Sequence, residues 1–152
     1  MPGIAPTTWQ ARAATFVTTV YTLLLSYLLL TPEPLSLFFG SAAGEIHGAV
    51  DGTVSTYMQH TLSYAVLMGL LVWTASARGR SSILVCVGLA GSHAVLTEGL
   101  QRFVPGRHGD LWDLAADFAG MAIVLASAGM ATALQRVLVQ ESLRAESAGP
   151  EA

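Results

Sequence analysis

The stretch Ala13-Ala-Thr-Phe-Val-Thr-Thr-Val-Tyr-Thr-Leu-Leu-Leu-Ser-Tyr-Leu-Leu-Leu-Thr-Pro32 carries no charge over its whole length. Wound as a helix at ~1.5 Å per residue, its uninterrupted part is about 27 Å long, close to the ~30 Å hydrocarbon thickness of a bilayer. The same reading extends outward to three more runs. Residues 52–77 are also free of charge, with a helix expected from about Tyr57. Residues 83–97 are short and contain His93, and reach spanning length only if 98–103 continue the helix. Residues 118–135 form the last run, extended at its start through Asp113 and Asp117. The pattern predicts an all-α polytopic membrane protein, a four-transmembrane-helix bundle with spans at about 13–31, 57–77, 82–103 and 111–138. Residues 140–152 read as a disordered, charged tail.

Composition agrees with this pattern. Of 152 residues only 11% are charged, against roughly a quarter in soluble proteins. Mean hydropathy is +0.56, so most of the surface must meet lipid rather than water. A net charge of −3, with no basic stripe, excludes a nucleic-acid partner. Cys86 is the single cysteine, which excludes an intrachain disulfide or a cysteine-based zinc site. No small-residue cleavage site closes the first run, and Pro32 and Glu33 follow it directly, so an uncleaved helix is expected.

Between the first two spans lies the longest connection, with Pro32, Pro34, Gly40, Gly44 and Gly48. Its Leu35, Leu37, Phe38 and Phe39 suit a segment lying in the headgroup region. Arg12, Arg78, Arg80, Arg136 and Arg144 fall on one side of the spans, and Arg102 and Arg107 on the other, a 5 to 2 bias. Basic loops are retained in the cytoplasm, so both termini are expected there. Trp9, Trp73 and Trp112 stand near span ends and read as interfacial anchors.

Ionisable residues concentrate in one segment, 98–120. Glu98, Gln101 and Arg102 share one face at the end of the third span; Asp110, Asp113, Asp117 and Gly120 share one at the start of the fourth. Pro105-Gly106 turns the chain between them, so the two faces can meet at the outer leaflet. Thr56, His60, Ser63 and Tyr64 add a polar face of the second span at the same boundary. Ionisable groups inside a membrane are costly and point to function. They equally suit ion pairs, Glu98 with Arg102 and Arg107 with Asp110 or Asp113, that fasten the hairpin. His60, Glu98, Asp113 and Asp117 include donor types that a divalent cation takes, but no segment has metal-motif spacing such as HExxH, and no metal is assigned. No Gly-x-Ser-x-Gly elbow occurs, and no cofactor is identified.

On these residues the sequence resembles the VanZ-like family of small membrane proteins. The family pattern is a Glu-x-x-Gln ending one helix, a Pro-containing turn with Arg, then Asp and small residues opening the last helix. The matching positions are Glu98, Gln101, Pro105, Arg107, Asp110, Asp113 and Gly120, with His60 and Tyr64 like the second-helix His and its following aromatic. Two positions depart: Thr56-Tyr57 stand where many members carry Asp-Lys, and Asp117 where the family usually has Asn. A protonated acid at Asp117, the form expected, would imitate that amide without reorganising the site; an ionised one would need Arg107, His60 or a cation beside it. The resemblance implies a protein of the cell envelope, and the family is associated with resistance to glycopeptides of the teicoplanin kind. The expected partners are the bilayer and a lipid-linked or surface-exposed envelope molecule. Three readings follow: a module binding an anionic envelope molecule through Arg102 and Arg107, a membrane enzyme of the metal-assisted hydrolytic or group-transfer kind, and a non-catalytic scaffold.

Overall fold

A computed structural model describes residues 8–32, 52–79, 82–107 and 109–147. The described chain forms helices α1 (Thr8–Leu30), α2 (Gly52–Ala77), α3 (Ile83–Gln101) and α4 (Leu111–Ser147), with no strand among the described residues. All four are long and apolar enough to cross a membrane. The protein is therefore all-α, with the helices of a four-span membrane bundle. The segment at 35–39 and residues His47, Arg80 and His108 lie outside the described residues.

Three boundaries differ from the sequence reading: the second helix begins at Gly52 rather than about Tyr57, and the first and fourth also run longer. The first helix starts at Thr8 rather than near residue 13, because Trp9, Gln10 and Arg12 all tolerate helix and no breaker intervenes. The fourth runs on to Ser147, so residues 140–147 are helical rather than disordered. Gln140, Glu141, Leu143 and Arg144 are good helix formers, and charge alone does not stop a helix already nucleated upstream. At ~1.5 Å per residue this helix is about 55 Å long, well beyond the bilayer's ~30 Å.

Polarity is distributed as lipid requires. Leu23, Phe16 and Leu84 are 66%, 69% and 83% exposed, and many other large apolar side chains face outward with them. The interior is a compact seam of Leu25, Leu29, Tyr64, Leu67, Met68, Cys86, Ala90, Ala94 and Met121. Within lipid, apolar contact alone does not hold helices together, and close packing with interhelical hydrogen bonds takes over. Both are present. The most extensive helix pair is α2 with α4, and Gly120 lets them cross: a Cβ there would collide with the Thr61 carbonyl and sit 2.9 Å from Ala65 N. Between α1 and α2, Thr18 Oγ1 meets Thr74 Oγ1 at 2.7 Å, Tyr21 donates to Ser63 O at 3.0 Å, and Arg78 donates to Thr15 Oγ1 at 2.8 Å. The α2–α3 turn passes through Gly79 (φ 66°) and the α3–α4 turn through Gly106 (φ 78°), both in the left-handed region open to glycine.

Candidate functional site

The end of the bundle that carries the α3–α4 turn gathers the polar residues of three helices. They fall into two groups with different duties.

The first group ties the helices together. Arg107 donates through one terminal nitrogen to Leu28 O at 3.2 Å and Thr31 O at 3.3 Å, and Gln101, 2% exposed, donates to Leu29 O at 3.2 Å. The last carbonyls of a helix have no partner within it; here α1 receives them from the α3–α4 hairpin. Asp110 opens α4 as its N-cap. Its Oδ1 accepts the Trp112 N–H at 3.0 Å, and its carbonyl accepts the Leu114 N–H at 3.2 Å. The fastening ion pairs allowed by the sequence are not formed. Neither Glu98 with Arg102 nor Arg107 with Asp110 or Asp113 lies within ion-pair distance; among the described residues, the ion pairs are His60 with Asp113 and Asp117. The physical reason is that α1 presents uncapped carbonyls to Arg107, and α4 presents a backbone N–H to Glu98. Arg102 is exposed at the rim, its Cγ beside Gly109.

The second group is His60, Glu98, Asp113 and Asp117, which are 4%, 7%, 8% and 0% exposed. His60 sits between the two aspartates of α4. Its Nδ1 is 2.8 Å from Asp117 Oδ1, and its Nε2 is 3.8 Å from Asp113 Oδ2. Asp117 meets His60 and not Arg107. Glu98 reaches across from α3, its Oε2 accepting the Asp110 N–H at 3.0 Å. The other oxygens of these carboxylates, Glu98 Oε1, Asp113 Oδ1 and Asp117 Oδ2, are buried without a hydrogen-bond partner among the described residues. Buried acceptors are almost always satisfied, and each exception needs a physical explanation. Like charges 4 Å apart repel by about 4 kcal/mol at an effective dielectric of ~20.

Tyr64, fully buried one turn beyond His60, joins a third arrangement that the sequence did not foretell. Its hydroxyl lies 2.9 Å from His93 Nδ1 and 3.1 Å from Thr97 Oγ1, while His93 Nε2 lies 2.9 Å from Ser26 Oγ. Ser26 spends its own hydrogen on Thr22 O at 2.9 Å, so it accepts from His93 Nε2–H. In a neutral ring Nδ1 is then the acceptor for the tyrosine. This chain links α1, α2 and α3 beneath the carboxylates. His93 lies on another face of its helix from Glu98, and only the hydroxyls spaced along all three helices hinted at the link.

No family model matches the chain, and no curated protein or solved structure matches it either. The chemistry is therefore argued from the geometry alone. The arrangement offers an imidazole oriented by a carboxylate, three buried carboxylate oxygens without a partner among the described residues, and one exposed guanidinium at the rim.

Proposed function

We propose that this chain is a VanZ-like membrane protein of the cell envelope whose carboxylate–histidine end faces outward and engages an anionic or lipid-linked envelope molecule. One observation carries the reading: His60, Glu98, Asp113 and Asp117 converge from three helices at one end of an apolar bundle with carboxylate oxygens left unpaired. Gln101 and Asp110, which fasten helices, bond to backbone groups, whereas each of three carboxylates here keeps one buried oxygen without a partner among the described residues, as the neighbouring Arg107 does its Nε. The arginine bias favours the outward orientation, which keeps both termini in the cytoplasm. Arg102, not Arg107, is the guanidinium available to a phosphate or carboxylate at the rim.

The test is expression in a glycopeptide-susceptible host, together with mass spectrometry of lipids that co-purify in mild detergent. The wild-type chain is expected to raise the teicoplanin-type inhibitory concentration and to retain an envelope lipid. Glu98→Gln and Arg102→Ala should lose both at unchanged membrane abundance. Equal lipid content and equal susceptibility in all three would sink the proposal and leave the scaffold reading.

A second reading, catalysis, is favoured by the His60–Asp117 contact. A carboxylate on Nδ1 holds an imidazole with Nε2 directed into the site, as a general base requires. Its signature is time-dependent conversion of the retained lipid by the wild type but not by His60→Asn.

A further inference from the structure

We propose that His60, Glu98 and Asp117 bind a divalent transition-metal cation between α2, α3 and α4. The inference uses the same centre as the proposed function but does not depend on its ligand.

Distance is the first argument. One donor atom from each of His60, Glu98 and Asp117 lies within 4.8 Å of the others. Donors that share a cation at ~2.0–2.4 Å are at most about 4–5 Å apart, so a small inward movement of side chains completes the shell. His60 Nδ1 and Asp117 Oδ1, 2.8 Å apart, have the spacing of neighbouring ligands.

Orientation is the second. Each of two carboxylates has one oxygen held by the protein and the other unpaired. Glu98 Oε2 takes the Asp110 N–H, leaving Oε1; Asp117 Oδ1 takes His60 Nδ1, leaving Oδ2. Asp117 is wholly buried and Glu98 is 7% exposed, so the unpaired oxygens do not face bulk water. The Asp110 N–H contact orients Glu98 as outer contacts orient a metal ligand, and His60 and Asp117 are close enough to share one cation.

Charge and donor type complete the case. Acidic side chains crowd one imidazole, and among the described residues no arginine forms an ion pair with any of them. A doubly charged cation offsets that crowding. An imidazole combined with carboxylates suits zinc, manganese or iron better than magnesium, which favours oxygen and retained water. Asp117, where the resembled family usually has Asn, supplies an anionic donor that an amide would not.

The chain should be purified in mild detergent through a tag without histidines, stripped with chelator, and titrated calorimetrically with zinc and with manganese. Elemental analysis of the unstripped protein gives the content as purified. About one equivalent per chain is expected for at least one of the two metals. Glu98→Gln and Asp117→Asn, near-isosteric and still able to accept from Asp110 N–H and His60, should each weaken binding by more than about 10–100-fold, the range lost even for outer-shell partners. Glu141→Gln, at an exposed carboxylate far along α4, should bind as the wild type does. Gel filtration shows whether each variant keeps its fold, and the wild-type stoichiometry decides even if a variant does not. Absence of metal both as purified and after titration overturns the proposal, as does unchanged affinity in folded Glu98→Gln and Asp117→Asn. Loss of the envelope phenotype without metal binding would remove the cation and leave the proposed function standing.

Discussion

Replacing Gly120 by alanine adds one methyl group at the place where α4 crosses α2. The obstructing atoms are the Thr61 carbonyl and Ala65 N, both backbone, so no rotamer change can make room. The helices must part along the most extensive contact of the bundle. Overpacking costs about 1–3 kcal/mol, and a backbone obstruction belongs at the upper end. Alanine returns about 1 kcal/mol of helix propensity. The net loss is about 2 kcal/mol, roughly a 30-fold fall in the folded-to-unfolded ratio. Gly91 is the matched control: its added Cβ would stand 3.5 Å from the Phe118 ring, an ordinary contact. Gly91→Ala should therefore be neutral or stabilising by up to about 1 kcal/mol. Unfolding by increasing SDS in mixed micelles, followed by tryptophan fluorescence, measures both. If Gly120→Ala unfolds at the same SDS fraction as the wild type, the close α2–α4 crossing is wrong.

Two further outcomes are expected. Because Arg107 holds α1 and makes no ion pair with Asp113, the losses in Arg107→Ala and Asp113→Asn should add within about 0.5 kcal/mol in the same assay. His60→Ala and Asp117→Leu, in direct contact, should instead depart from additivity by more than that, and the opposite pattern would reverse the division of the site. For orientation, the reporter position follows from exposure. Phe103 is 84% exposed in the α3–α4 turn, whereas Gly109 is pressed against the Glu98 carbonyl and cannot take a side chain. Phe103→Cys should label with an impermeant thiol reagent in intact cells while buried Cys86 does not, and labelling only after lysis would invert the topology.

The four spans were legible because absence of charge over 15–20 residues is a property of composition, readable without any partner. So was the meeting of Glu98 with Asp113 and Asp117, since phasing at i, i+3 and i+4 fixes a face before anything packs on it. The roles of Arg107 and Gln101 were not. Their acceptors are backbone carbonyls 72–79 residues away, and a carbonyl has no sequence signature. Sign complementarity within the hairpin suggested a salt bridge instead. The tail misled for a related reason: charge marks where a helix leaves the membrane, and α4 leaves it without ceasing to be a helix. His93 stood in the sequence only as a polar residue within an apolar run, and its Ser26 and Tyr64 partners became visible only with the helices assembled.

The capture of the α1 carbonyls by Gln101 and Arg107 also bears on how the chain is made. The first helix enters the membrane before the residues that complete it have been synthesised. Until the last hairpin arrives, Leu28, Leu29 and Thr31 must leave their carbonyls to water or lipid headgroups. A chain arrested after α2 therefore presents an unfinished first helix, and one lacking only Gln101 and Arg107 presents the same defect at full length. Both share one feature, the end of the first helix without the donors that complete it.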